Sequence, residues 1–293
     1  MPQEQQQVVL LGAGGQLGRQ WKDFLIDHRI PHAAFTSAEA SVTDAEKLNQ
    51  LFLLLKPAVV INCAAYTKVD KAETEQEAAF AVNAEAVHAL AEMAVRFDFL
   101  LVHYSTDYVF SGGEAEKAAF PQGFPVDAPV KTCNTYGESK LKGEQYLLTS
   151  SARFLNIRVA WLCGKHGANF VKTMLRLGKE KPELRVVADQ LGAPSFAENV
   201  VFNSWQLIQS GETGIFHIAS TDACTWFELA QETLRWSGIG IPVHPISTSD
   251  FPTPAKRAAY SRLDVSKTAT VPGIVLTGWK QGLHNLLTEL QES

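Results

Sequence analysis

Four short apolar runs set the rhythm of the first half of the chain, and a helical pattern follows each of the first three. Val8-Val9-Leu10-Leu11 is wholly apolar and ends in a glycine-rich turn. Behind that turn Leu17, Trp21, Phe24 and Leu25 recur at the spacing of one buried helix face. Residues 32–35 read as a second strand, and residues 44–56 as a helix that Pro57 stops. The run 58–61 is continuous and apolar, as suits a parallel strand covered on both faces. A long helical region is predicted over 70–97 with Asn83 inside it. Asparagine is mildly unfavourable within a helix, so its amide either faces water or holds something. Residues 99–104 form the fourth strand, and a further helix is predicted over 136–149. Strands alternating with helices predict an α/β fold with a Rossmann-like, doubly wound parallel sheet. Ligands bind such sheets beyond the carboxyl ends of the strands.

Past Arg153 the pattern loosens. Strands are predicted at 156–161, 184–188 and 214–218, and helices at 170–178, 198–210, 226–236 and 280–290. The proline-punctuated stretch 242–254 reads as loop. We therefore expect a dinucleotide-binding domain over 1–164. Residues 165–293 should form mainly a smaller C-terminal substrate-binding lobe, with some segments returning to the large sheet.

Composition narrows the class. The chain has 293 residues, 46% of them apolar and 19% charged, which suits a globular enzyme with a sizeable core. Net charge is −5 without a basic block, so neither nucleic acid nor an anionic membrane is called for. The start, residues 1–7, is polar and lacks the pattern of a signal peptide, and no apolar run reads as a membrane span. Cys63, Cys133, Cys163 and Cys224 are scattered, which suits free thiols in a reducing cytoplasm. The histidines show no metal spacing. His103 and His217 lie in apolar strands and are expected to be satisfied core residues.

The candidate chemistry gathers at the predicted strand ends. Gly12, Gly15 and Gly18 lie between a strand and a helix, where backbone N–H groups can approach a pyrophosphate. An NAD fingerprint would end the second strand on a carboxylate. Thr36-Ser37-Ala38 stand there instead, with Glu39 close but late, so NADPH is expected to be accepted alongside NADH. Asn62-Cys63-Ala64-Ala65-Tyr66-Thr67 and Ser105-Thr106-Asp107-Tyr108 follow the third and fourth strands. Tyr136 and Lys140 are one helical turn apart on one face. An ammonium near a phenol favours the phenolate and would draw its pKa from about 10 toward the working pH, making a proton donor. Such a pair also arises on plain solvated helix faces, so its weight comes from the segments around it.

Taken together, these segments resemble the extended short-chain dehydrogenase/reductases, and more narrowly the dTDP-4-dehydrorhamnose reductases. The resemblance rests on the glycine loop 12–18, on Asn62-Cys63-Ala64-Ala65-Tyr66-Thr67 and on Tyr104-Ser105-Thr106-Asp107-Tyr108-Val109-Phe110. It continues through Tyr136-Gly137-Glu138-Ser139-Lys140, segment 169–176, Asp189-Gln190-Leu191-Gly192-Ala193-Pro194 and Tyr260-Ser261-Arg262-Leu263. It implies NAD(P)H-dependent reduction of the 4-keto group of a dTDP-linked deoxysugar. Tyr136 would donate a proton to the carbonyl oxygen, Lys140 would lower the tyrosine's pKa and hold the nicotinamide ribose, and Thr106 would hydrogen-bond the same oxygen. Gly12, Gly15, Gln16 and Leu17 would meet the pyrophosphate. Ser41 and Val42 would stand near the adenosine, and Ala65, Tyr66, Thr67 and Tyr104 would line the cofactor. Asp107 and Trp161 would contact the sugar. From the residues alone, Trp161 is as well read as core.

Three departures qualify the resemblance. Ser41-Val42 replaces an Asp-apolar pair near the adenosine. Some relatives bind magnesium through glutamates at a dimer contact; here Gln20 stands in the first position, with Glu198 and Glu289 remaining, so no metal is expected to be needed. Lys256, Arg257 and Arg262 are a reduced set for gripping a diphosphate. A homodimer remains compatible with the family. Two other functions stay open: a non-catalytic regulatory subunit of another enzyme, and a nucleotide-sugar epimerase or dehydratase.

Overall fold

The computed structural model describes residues 7–291. The polar start discussed above lies outside the described residues, apart from Gln7. β1 (Val8–Leu11), β2 (His32–Phe35), β3 (Val59–Asn62), β4 (Leu100–Thr106), β5 (Phe154–Val159) and β8 (Gly214–His217) form one parallel sheet in the order β2-β1-β3-β4-β5-β8. Between them in sequence lie β6 (Leu184–Val187) and β7 (Leu191–Gly192), which belong to smaller sheets.

The period-2 alternation within β1 divides its side chains between two layers. Val8 and Leu10 join Leu17, Trp21 and Leu25 of α1 (Gln16–Asp27). Val9 and Leu11 join Phe52 of α2 (Ala45–Leu55), on the opposite face. All four β1 side chains are fully buried, each contributing roughly 1.5–3 kcal/mol of burial. Asp44 caps α2 by accepting from Lys47 N at 3.0 Å, and Lys56 ends it in the left-handed region just before Pro57.

The region read as one helix over 70–97 is four pieces. α3 (Val69–Ala72), α4 (Gln76–Phe80) and α5 (Ala86–Phe97) are α-helical, and Ala81–Glu85 is a π turn between the last two. Gln76–Phe97 is long and apolar enough, by length and composition, to cross a membrane, contrary to the sequence expectation. Half of that window is buried, and Val87, Leu90 and Ala94 pack in the α2-side core, which accounts for its hydropathy.

α6 (Glu114–Ala119) and α7 (Thr135–Thr149) precede β5, and α8 (Phe170–Glu180) follows it. α9 (Ala197–Gln209) covers the same face as α1. After β8 come β9 (Cys224–Thr225), α10 (Trp226–Trp236), β10 (Val243–Ile246), β11 (Tyr260–Ser261), α11 (Ser266–Ala269) and α12 (Trp279–Gln291). β10 pairs with β6 in parallel, and β7 pairs with both β11 and β9. The stretch read as loop over 242–254 thus contains a strand. Pro245 is tolerated because β10 has a single neighbour, so its missing N–H costs no ladder bond. The four cysteines are free thiols.

Candidate active site

The site begins at the glycine loop. Gly12 adopts φ +74°, and a Cβ there would stand 2.5 Å from Ala64 N. A Cβ on Gly18 would run into the Gly12 carbonyl. The spacing is therefore set by a loop packed against its own helix and the end of β3. Gly15 is the N-cap of α1 and offers no side chain, and the first turn carries no carboxylate. Its leading N–H groups and the positive end of the helix dipole are left for an anion. Gln16 Nε2 donates to Leu162 O at 3.0 Å and Gln16 Oε1 accepts from Asn169 at 3.2 Å, tying the loop to the chain after β5.

Asn83 does hold something. Its Oδ1 accepts from Tyr66 N at 2.9 Å, and its Nδ2 donates to Tyr66 O and to Ser139 Oγ, each at 3.0 Å. It sits fully buried in the π turn, whose extra residue re-aims it. The segment after β3 is thereby fixed to α7, one residue from Lys140. α7 itself starts at the Asn134 cap, whose Oδ1 accepts from Gly137 N at 2.8 Å, while Glu73 accepts from Thr135 N and Oγ1.

Thr106 is the last residue of β4, and Asp107 opens a single 3₁₀ turn. The Thr106 hydroxyl donates to Asp107 Oδ1 at 2.9 Å and accepts from Tyr108 N at 3.2 Å. Tyr136 is buried and meets Tyr108 edge-on at 5.7 Å. Burial first, then the charge of Asp107, push its pKa above the usual tyrosine range, and the hydrogen bond with Thr106 opposes them. Burial raises Asp107 to about 7 against its hydrogen bonds with Thr106 and Ser261. Burial lowers Lys140 to about 8, against the attraction of Glu144. The expectation that Lys140 draws the Tyr136 pKa down does not hold: the ammonium donates to Tyr104 O at 2.6 Å, toward the sheet. The Tyr104 ring points the other way, accepting from Trp21 Nε1 at 2.8 Å and donating to Ser204 at 2.9 Å, so only its backbone serves the site.

One cavity of about 470 Å³ joins these parts. Gly15, Gln16 and Leu17 line it from the loop, Ala65 and Thr67 from the end of β3, Thr106 and Asp107 from β4, and Tyr136 and Lys140 from α7. Trp161 closes it, just past β5 at φ +48° and half-buried. Its ring stacks on Trp226 at 3.6 Å and 13° and packs against two buried clusters, so it is at once a wall of the cavity and an edge of the core. Cys63, within the segment read at the end of the third strand, also lines the cavity, as does Trp226, to which the sequence had not pointed. A Trp at a helix start carries no distinguishing pattern.

Four expected cofactor residues stand off this cavity. Gly12 shapes the loop from behind. Tyr66 turns its hydroxyl to Glu75 at 2.6 Å. Ser41 bonds Thr43 at 2.8 Å, and Val42 is buried in the α2-side core with Leu48 and Phe52. The two latter side chains face away because the chain after β2 folds inward to start α2. Glu39, read as late, lies back on the strand end instead: its Oε2 accepts from Thr36 N and Thr36 Oγ1 at 2.8 Å.

A neighbouring cavity of about 430 Å³ shares Tyr108 and Trp226 with the first. Phe170, Met174, Val187 and Phe251 give it apolar walls, and Arg185 and Arg257 give it charge. Arg257 is held by Asp70 at 2.8 Å. Of the three cations expected to grip a diphosphate, only Arg257 reaches it. Lys256 is exposed, and Arg262 is spent on the carbonyls of Pro121 and Thr221. Of the two histidines, His217 is bonded at both ring nitrogens, whereas His103 Nε2 has no partner.

The family model of the RmlD substrate binding domain matches residues 6–292. The chain is 38% identical over 296 residues to a dTDP-4-dehydrorhamnose reductase of Aggregatibacter actinomycetemcomitans, covering 95% of this chain and 97% of that protein. It is 37% identical over 301 residues to the dTDP-4-dehydrorhamnose reductase of Escherichia coli K12, covering 97% of each. The crystal structure of dTDP-4-dehydrorhamnose reductase from Bacillus anthracis in complex with NADP superimposes with a TM-score of 0.92 at 34% identity, covering 97% of this chain and 99% of that one.

Proposed function

Because the chain belongs to the RmlD substrate binding domain family, with the dTDP-4-dehydrorhamnose reductases as relatives, we propose that it reduces the 4-keto group of dTDP-4-dehydro-L-rhamnose to give dTDP-L-rhamnose. NADPH or NADH is the reductant. The observation that carries this reading is the single cavity joining the glycine loop to Thr106, Tyr136, Lys140 and Trp161.

The residues present fit a dinucleotide: the loop is backbone-lined and ends on an uncapped helix N-terminus. When bound, the reduced nicotinamide supplies a hydride to the keto carbon. Tyr136 gives its phenolic proton to the oxygen that gains charge, and Thr106 hydrogen-bonds that oxygen. A high phenol pKa in the empty pocket keeps the proton on Tyr136 until it is needed. Lys140 places a positive charge below the site from its seat on Tyr104 O and holds the cofactor ribose. Asp107 and Trp161 orient the sugar, and Trp161 with Trp226 excludes water. The neighbouring cavity takes the thymidine diphosphate, with its aromatic and aliphatic walls around the base and Arg257 and Arg185 for the phosphates.

Residues 1–164 form the dinucleotide-binding domain in this reading, and 165–293 mainly the substrate lobe, with β8 completing the large sheet. We place the protein in the cytoplasm, without nucleic acid or membrane partners, and a homodimer is compatible with this reading. The test follows loss of reduced-nicotinamide absorbance with dTDP-4-dehydro-L-rhamnose as substrate. One cofactor oxidised per sugar reduced supports the reading. Sugar conversion without net oxidation makes the protein an epimerase or dehydratase. No turnover, with tight binding to another enzyme of nucleotide-sugar synthesis, makes it a regulatory subunit.

A further inference from the structure

Away from the active site, α1, α9 and α12 meet at a groove of about 420 Å³. α1 brings Asp23 and Asp27 to it, α9 brings Glu198 and α12 brings Glu289. Gln20, Glu198 and Glu289 are the positions that the family resemblance associates with magnesium. A hard divalent cation requires several charged or carbonyl oxygens converging without a competing cation.

The residues do not fit. Lys165, from the segment after β5, enters the groove and places its ammonium 3.0 Å from Asp23 Oδ2 and 3.0 Å from Glu289 Oε1. His166 adds a contact to Asp23 Oδ2 at 2.8 Å. The ion pairs are partly buried, with side chains 24% to 36% exposed. Burial works against the Lys165 charge, yet hydrogen bonds to Glu289 and Asp23 raise its pKa overall. Burial and then Glu289 raise Glu198, and Lys165 opposes them. Gln20 is buried and offers a neutral carbonyl oxygen that has no hydrogen-bond partner. A divalent ion on Glu289 and Glu198 would have to share this space with the ammonium, and like charges at such separation repel strongly in a partly buried site.

We propose that Lys165 is a built-in cation that takes the place of a metal ion at the junction of α1, α9 and α12. Its single charge ties the N-terminal helix of the large sheet to the last helix of the chain. The junction therefore holds in a chelator. Because the groove lies apart from the cavity that holds Tyr136 and Lys140, the proposal stands whether or not the assigned reaction is correct.

The test uses the full-length protein and thermal unfolding. The wild-type Tm should be the same in EDTA and in millimolar magnesium, and calorimetric titration with magnesium should give no binding. Lys165→Met removes the charge and keeps the length. Its Tm in EDTA should fall by about 2–5 °C, and magnesium, manganese or calcium should restore much of the loss, while Lys165→Arg should behave as wild type. The proposal is overturned if wild-type protein loses Tm in EDTA, if it binds magnesium in a manner that Glu289→Gln abolishes, or if Lys165→Met is indifferent to all three cations. Should Lys165→Met fail to fold, the wild-type titration and the Lys165→Arg melt still decide between these outcomes.

Discussion

The ammonium of Lys140 lies 2.6 Å from the carbonyl oxygen of Tyr104, while burial and the charge of Asp107 hold the Tyr136 phenol above its usual range. Spacing along a helix brings two side chains to one face, but a long flexible lysine then chooses its partner in three dimensions. Here the partner is the end of β4. Tyr136 is left protonated, with Thr106 beside it.

Tyr136→Phe should lower kcat by about 10²- to 10⁴-fold, the range expected for removal of a general acid. The ring remains packed edge-on against Tyr108, so the dissociation constant for NADPH, measured by fluorescence titration, should change little. Turnover near wild type would remove Tyr136 from the mechanism.

Asp107 is buried, and its pKa stands at about 7 against the usual 3.8. The folded state therefore binds more protons than the unfolded state between those values, and stability falls as pH rises through that window. Above about pH 7 the full penalty is present. Asp107→Asn should raise Tm at pH 8, by a free energy on the order of a few kcal/mol. The gain should shrink toward zero as pH is lowered to about 4, in melts recorded across that range. A gain that is independent of pH would show that packing, not charge, is responsible.

Arg158 and Glu144 form a buried bidentate pair at 2.9 and 2.6 Å, with side chains only 2% and 1% exposed. Glu144→Gln leaves a buried guanidinium without its counter-charge, which should cost about 3–5 kcal/mol in urea unfolding. Because Glu144 also supports the Lys140 charge, the variant's pH–rate profile should shift to lower pH in whatever limb Lys140 governs.

Glu39 holds a carboxylate at the end of β2, bonded to Thr36. That is where a 2′-phosphate would approach. The group is exposed, so solvent and salt weaken the repulsion. Both cofactors should be accepted, and Glu39→Gln should raise the NADPH-to-NADH ratio of kcat/KM by about threefold to tenfold. An unchanged ratio would place the 2′-phosphate elsewhere.

Gly192 lies under the Trp161 ring: a Cβ there would stand 2.6 Å from its Cε2 and Cζ2 atoms. Gly192→Ala should tilt Trp161 off its stack with Trp226. The expected result is a loss of about 10- to 100-fold in kcat/KM for the sugar nucleotide with cofactor affinity retained. A loss confined to NADPH binding would contradict the assignment of Trp161 to the sugar.

Much was legible in the chain itself. The apolar run of β1, the glycine loop and the helix behind it depend on contacts between near neighbours, and they stand where the sequence predicted. Thr106 closes β4, and Tyr136 and Lys140 lie one turn apart near the start of α7; the spacing picked out the Tyr136–Lys140 pair, and the family resemblance supplied the roles of all three. The sequence could not determine which way a side chain turns once several elements surround it. Asn83 takes its meaning from Tyr66 and Ser139, the latter 56 residues away. Trp161, just past β5, meets Trp226 of α10, 65 residues on, across the mouth of the cavity. Lys165 meets Asp23 and Glu289 from opposite ends of the chain. Arg262 is spent on backbone carbonyls while Arg185, unremarkable in sequence, lines the charged cavity. Local propensity and hydrophobic period act within a few residues, so they determine elements and their buried faces. Electrostatics and packing at a site act through space, and only the closed fold decides which distant residues share it.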